Sequence, residues 1–142
     1  MITVLKLRPV HWQAMLHHAT EQAPLEACGL LAGKYDTVEA VLRVRNAEQS
    51  PVRFRMDPQE QYNAFEWIEA KGLDLVGIYH SHPSGPEIAS ATDIAEAAYE
   101  VIHVIWSCEE QLWSARAFWI EAREVTEVTI QIVTSSSFLC YQ

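Results

Sequence analysis

Two histidines, His80 and His82, stand at i and i+2, followed by Pro83; after six intervening residues comes Ser90 and, three further on, Asp93. On an extended strand, residues two apart project to the same side, so both imidazoles can reach one ion. Asp93 can supply a third ligand. Catalytic zinc is held by three protein ligands drawn from His and carboxylate, with a fourth position left for water, whose pKa it lowers to about 7. Gly85 and Pro86 bend the intervening loop, which lets a helix starting at Ser90 return toward the strand end. Without that return the three side chains cannot converge.

Each part also has an ordinary explanation. Ser90 to Asp93 has the spacing of a capping box, which opens many helices that have no function. A His-x-His pair at a strand end is commonly a pair of surface or half-buried histidines. It is the combination that points to metal. His11, His17 and His18 fall on a helix and His103 in an alternating strand, so these four read as structural. Hydrolysis at such a centre also needs a base that takes a proton from water and passes it to a leaving amine. A carboxyl group in a partly apolar pocket has the raised pKa this requires. Glu26 is the only acid in Ala23 to Lys34 (APLEACGLLAGK), while Glu87 lies beside His82 in the loop. Glu26 is the best-placed candidate and Glu87 its rival.

The elements that must position these groups follow from pattern. Ile2 to Leu7 reads as a strand. Pro9 to about Gln22 reads as a helix, with Trp12, Met15, Leu16 and Ala19 on one face. Cys28 to Gly33 and Thr37 to Arg45 form a hairpin turning near Lys34 to Asp36. A short strand is expected near Val52 to Met56, then a helix capped by Asp57, beginning at Pro58 and ending before Gly72. Asp74 to His80 is an apolar strand, Ser90 to about Glu100 a helix, and Val101 to Ser107, Leu112 to Ile120 and Glu124 to Val133 three strands. The expected fold class is a mixed α/β domain over residues 1–134, with 135–142 a short tail.

The chain has 142 residues, 49% of them hydrophobic and 20% charged, with a formal charge of -9. That composition suits one packed domain and excludes a disordered chain. Residues 1–55 carry seven basic and five acidic side chains, and residues 56–142 three and fourteen. Phosphate backbones are gripped by clustered Lys and Arg, so nucleic acid is not an expected partner. No segment reaches the roughly 20 apolar residues that span a bilayer, and the first ten residues lack a signal-peptide core. Three scattered cysteines, Cys28, Cys108 and Cys140, suit a reducing compartment. The expected location is cytoplasmic.

An upstream Glu, then His-Ser-His-Pro, six residues, Ser, two residues and Asp resembles the signature of the JAMM (MPN+) metalloproteases, and every position is matched, with Glu26 lying 54 residues before His80. The segments EACGLLAG, SPVRFRMDPQEQ and GIYHSHPSGP extend the resemblance to small bacterial members over nearly the whole chain. The resemblance implies a JAMM/MPN-like (cytidine-deaminase-like) single domain with a mixed, curved sheet flanked by helices. It implies one zinc on His80, His82 and Asp93, with Glu26 as general base then acid and Ser90 as hydrogen-bond donor to the oxyanion. It also implies hydrolysis of the amide bond after the C-terminal Gly-Gly of a ubiquitin-like or sulfur-carrier protein.

Arg53 and Arg55 form a basic pair in an otherwise acidic chain, and a guanidinium grips a carboxylate bidentately. One of them is expected to bind the carboxylate of the residue removed. Two other readings compete: a non-catalytic MPN scaffold, which usually lacks part of the ligand set, and a RadC-like protein, which shares a similar loop. A zinc nucleoside deaminase is excluded because its second motif, PCxxC, is absent.

Overall fold

In the computed structural model, residues 1–86, 88–90, 93 and 100–134 are described. The elements run β1 (Val4–Leu7), α1 (Pro9–Gln22), β2 (Cys28–Lys34), β3 (Thr37–Val44), α2 (Pro58–Ala70), β4 (Asp74–His82), β5 (Ile102–Glu109), β6 (Leu112–Glu121) and β7 (Glu124–Ile132). Apart from Ser90, Asp93 and Glu100, the helix expected over 90–100 lies outside the described residues, as do Glu87, Cys140 and the tail. The strands follow the order β1-β3-β2-β4-β5-β6-β7, and β1 also pairs with β7, so the sheet curves until it closes. Pairing is parallel for β1 with β3, β1 with β7 and β4 with β5, and antiparallel elsewhere. This is the expected α/β domain with a mixed, curved sheet.

The apolar run of β2 is explained by its place between β3 and β4 with both faces covered. Leu31 packs into a core with Met15 and Ala19 of α1, whereas Cys28, Leu30 and Ala32 pack with Ala64 and Ile68 of α2. Alternate side chains of one strand thus anchor a helix on each face. Gly29 lies at the crossing of β2 with Tyr79 of β4, where a Cβ would stand 2.3 Å from the Tyr79 ring and 2.5 Å from the Leu42 carbonyl oxygen. Only glycine lets Tyr79 lie there.

Both helices begin where the sequence signals them. Pro9 opens α1, and the Asp57 carboxylate accepts from the Glu60 backbone N–H at 2.9 Å to cap α2. The buried face of α1 is His11, Met15, His18 and Ala19, with Trp12 and Leu16 only partly buried; two histidines therefore enter the core where apolar residues were expected. The strand expected near Val52 to Met56 does not form. Its sole ladder contact is an isolated bridge between Asn46 and Met56, because the Asn46 side chain takes up the Arg53 carbonyl and the Arg55 N–H. Finally, β4 continues two residues past His80, through His82, where it still pairs with Ser107 of β5.

Candidate metal centre and catalytic site

The end of β4 turns both histidine rings to one side. Their Nε2 atoms are 3.1 Å apart, and Asp93 Oδ2 lies 3.2 Å from His80 Nε2 and 3.1 Å from His82 Nε2. Three ligand atoms on a tetrahedral zinc with bonds of about 2.0–2.1 Å stand about 3.3 Å apart, so this near-equilateral triangle suits the ion. Two neutral rings whose lone pairs face each other and a carboxylate oxygen at such distances repel unless a proton or a cation lies between them. The His80 and Asp93 side chains are 0% and 9% exposed, so water screens little of that repulsion.

Glu26 completes the group. A Glu26 carboxylate oxygen and one nitrogen of each of His80 and His82 all lie within 4.8 Å of one another. Glu26 is buried and its Oε1 has no hydrogen-bond partner among the described residues. An unpaired buried carboxylate oxygen costs free energy, and its proximity to the triangle identifies what it can serve.

The ladder between β2 and β4 explains this convergence. Cys28 pairs with His80 in antiparallel register, and just before this pair Ala27 lies against Ser81 and brings Glu26 within reach of His82. Ser81 secures the extension from both sides: its N–H donates to the Ala27 carbonyl at 3.0 Å, and its hydroxyl oxygen accepts from the Ala27 N–H at 2.8 Å. His82 is oriented by its other nitrogen, since Nδ1 is 2.8 Å from the Pro86 carbonyl oxygen and must donate to it, leaving Nε2 as the acceptor that faces the site. Ser107 holds this loop through a hydrogen bond from its hydroxyl to the Gly85 carbonyl. Phe54 stacks on the His80 ring, with centroids 4.5 Å apart and planes 24° from parallel.

Ser90 and Asp93 make the reciprocal pair of a capping box: the Asp93 N–H donates to Ser90 Oγ at 3.0 Å, and the Ser90 N–H to Asp93 Oδ2 at 2.9 Å. That same Oδ2 faces both histidines. The cap therefore aims the carboxylate, so the structural and functional readings of this motif describe one arrangement. Ser90 Oγ is used as an acceptor here, and among the described residues its O–H has no acceptor, so it can donate.

The electrostatics divide the two carboxyl groups. Burial pushes Glu26 up to about 8, and the Asp93 charge adds to this while His82 opposes it. Burial also acts to raise Asp93, but the His80 and His82 rings beside it outweigh burial and hold the carboxyl below the usual range. His80 is lowered by burial against the pull of Asp93. Burial acts likewise on His82, but Asp93 and the Pro86 carbonyl raise it overall. Two acids with their affinities for protons pushed apart fit different roles: Asp93 a fixed charge, Glu26 a group that can hold or release a proton near neutrality.

Glu26, His80, His82, Asp93 and Ser90 are thus brought together. Arg53 and Arg55 flank the Phe54 that lies on His80, but neither guanidinium is hydrogen-bonded or ion-paired to those five residues; Arg55 Nε stands 3.9 Å from Glu48, and Arg53 has no ion pair among the described residues. Ser81, Phe54 and Ser107 were not singled out from sequence. Ser81 carried a signal in its place between the two histidines, whereas the other two reach the site only through tertiary packing.

The family of prokaryotic homologs of the JAB domain matches residues 8–121. The chain belongs to this family. Within it or near it, the chain is 35% identical over 126 residues to a protein named desampylase from Pyrococcus furiosus, covering 87% of this chain and 88% of that one. It is 32% identical over 136 residues to the CysO-cysteine peptidase of Mycobacterium tuberculosis, covering 93% of each. The solution structure of a Desulfitobacterium hafniense protein superposes with a TM-score of 0.84 at 35% identity, covering 92% of this chain and 94% of that one. The JAB match spans Glu26, both histidines, Ser90 and Asp93 alike, so the JAMM resemblance of the motif and the family of the domain agree.

Proposed function

We propose that this JAB-family protein is a zinc peptidase that hydrolyses the amide bond following the C-terminal Gly-Gly of a ubiquitin-like or sulfur-carrier protein. The observation that carries the reading is the buried Glu26 Oε1, unpartnered among the described residues, beside the His80, His82 and Asp93 triangle. The relatives named as a desampylase and a CysO-cysteine peptidase support the substrate class. The donor set, two imidazole nitrogens and one carboxylate oxygen, suits zinc rather than a hard cation.

When bound by His80, His82 and Asp93, zinc supplies Lewis-acid charge and brings the pKa of water near 7. Glu26 takes the proton of the attacking water and returns it to the leaving amine, a role that a carboxyl held near neutrality performs in both directions. The Ser90 hydroxyl donates to the oxygen of the scissile carbonyl as negative charge develops on it. His82 is kept in one tautomer by Pro86. Glycines suit the substrate side because they let the backbone approach closely.

The test compares Glu26→Gln with Asp93→Ala. Glu26→Gln keeps zinc by elemental analysis and lowers kcat by ~10²–10⁴-fold, whereas Asp93→Ala loses the metal. A non-catalytic scaffold would show no turnover in the wild type, and a wild-type rate in Glu26→Gln would remove the base assignment. Arg53 or Arg55 is proposed to hold the carboxylate of the released residue. Carriers with a free terminal carboxylate should then be cut faster than amidated ones, and Arg53→Ala or Arg55→Ala should erase that preference. A cytoplasmic location agrees with the free Cys28 and Cys108, and among the described residues no helix is long and apolar enough to cross a membrane. The formal charge of -9 favours a protein partner over nucleic acid.

A further inference from the structure

Asn46 lies just past the end of β3, is 7% exposed, and uses its whole side-chain amide. Nδ2 donates to the Glu26 carbonyl at 3.1 Å and to the Arg53 carbonyl at 3.1 Å. Oδ1 accepts from the Glu48 N–H and the Arg55 N–H, both at 3.0 Å. An amide offers two donors and two acceptors in a fixed plane, and all four are spent on backbone groups of three separate segments.

Those segments are the ones the site depends on. The first carries Glu26, whose own N–H donates to the Ser50 carbonyl at 2.8 Å, so its backbone is held on one side by Asn46 and on the other by the chain that follows it. The second is the turn at Glu48. The third carries Phe54, which lies on His80, between Arg53 and Arg55. Backbone bonds from Ala47 N to the Arg55 carbonyl and from Asp57 N to the Arg45 carbonyl close the loop around Asn46. The Asn46 side chain touches neither His80, His82 nor Asp93 in any hydrogen bond.

We propose that Asn46 is a positioning residue: its amide locks the Glu26 segment to the Arg53–Phe54–Arg55 segment, so that the proton-handling carboxyl and the wall against His80 keep one fixed relation. The inference rests on the hydrolase reading above. It follows that losing the Nδ2 donors displaces Glu26 more than the metal ligands, which β4 and the Ser90–Asp93 pair also hold. Asn46→Asp keeps the acceptors for the Glu48 and Arg55 N–H groups but presents acceptors and a buried charge to the Glu26 and Arg53 carbonyls, and the neutral Asn46→Ser separates the lost donors from that charge.

The test is a double-mutant cycle between Asn46→Asp and Glu26→Gln, read on a ubiquitin-like carrier whose Gly-Gly tail ends in a fluorogenic amide, with zinc affinity measured by titration. In the wild-type background Asn46→Asp lowers kcat by roughly 10-fold or more. In the Glu26→Gln background the same change alters kcat by less than about twofold, since a residue acting through Glu26 has nothing left to position. Zinc affinity changes by less than the roughly 10-fold that loss of a ligand-orienting partner brings. Asn46→Ser, which keeps one donor, recovers part of the loss and serves as the cycle variant if the aspartate does not fold. Equal losses in both backgrounds, an unchanged kcat, or a collapse of zinc affinity would each overturn the role assigned to Asn46. Absence of hydrolysis by the wild type, or a Glu26→Gln enzyme at the wild-type rate, would instead overturn the hydrolase reading itself.

Discussion

His11 and His18 on α1 are as buried as His82 on β4, yet the two regions treat their imidazoles in opposite ways. On the helix each ring meets a neutral partner. His11 Nδ1 accepts from the Arg8 N–H at 3.0 Å, and the Glu39 backbone hydrogen-bonds the same ring. His18 Nδ1 lies 2.6 Å from the Tyr79 hydroxyl. Burial lowers both, His18 to about 4, and both stay uncharged. On the strand, His80 and His82 turn their Nε2 atoms toward each other and toward Asp93, and His80 Nδ1 has no partner among the described residues. Burial of a histidine therefore does not mark a site. What marks one is the convergence of acceptor atoms with no donor supplied between them.

The largest effect expected separates the two regions outright. His82→Ala loses zinc and lowers turnover by more than about 10³-fold, because it removes a ligand from the triangle. His18→Phe leaves zinc content and kcat unchanged but costs about 1–3 kcal/mol, since the buried Tyr79 hydroxyl loses its partner. Metal analysis and urea melts on the two variants check the contrast; a His18 variant that lost metal would break it.

The pH dependence sharpens it. His18 folds with a value near 4, below the ordinary 6.5, so between these values the unfolded chain binds more protons than the folded one. Its contribution is full above about pH 6.5 and is lost as the pH falls toward 4, amounting to roughly 3 kcal/mol. Urea melts at pH 7, 5.5 and 4 should show this decline in the wild type and a shallower one in His18→Phe. The same slope in both proteins would place the acid sensitivity elsewhere.

A smaller effect tests whether a satisfied group can still serve the chemistry. Ser90 Oγ is engaged as an acceptor by the Asp93 N–H, and only its donor side is free. Ser90→Ala should lower kcat by about 10² through loss of a donor to the oxyanion, with a capping loss of about 1 kcal/mol. A stability loss with normal kcat would leave Ser90 only the capping role.

Legibility from sequence followed the range of the interactions. The bounds of α1, the Asp57 cap and the β2–β3 hairpin were readable because proline, a capping carboxylate and alternation act within a few residues. The His80, His82 and Asp93 set was readable because its members share one strand–loop unit. The missing strand near Val52 to Met56 was not readable, because the backbone there is satisfied by Asn46, whose role no local pattern reveals. Nor was the buried face of α1, which carries His11 and His18 because Arg8, Glu39 and Tyr79 supply partners from elsewhere. Glu26 was the better placed candidate on the residues alone, with Glu87 its rival, and its burial against β4 is a property of the sheet.

The pairing of Cys28 with His80 makes the spacing of Glu26 from the two histidines a matter of ladder position rather than of chain length. Residues added at the β2–β3 turn or between α2 and β4 would leave Glu26 beside His82, since neither insertion lies within the stretch that joins them. A single residue inserted between Glu26 and Cys28, or between His80 and His82, would turn one member of the group to the other face of the sheet. The chain can therefore lengthen around its active site at many points, while at two short stretches it cannot change length at all without losing the site.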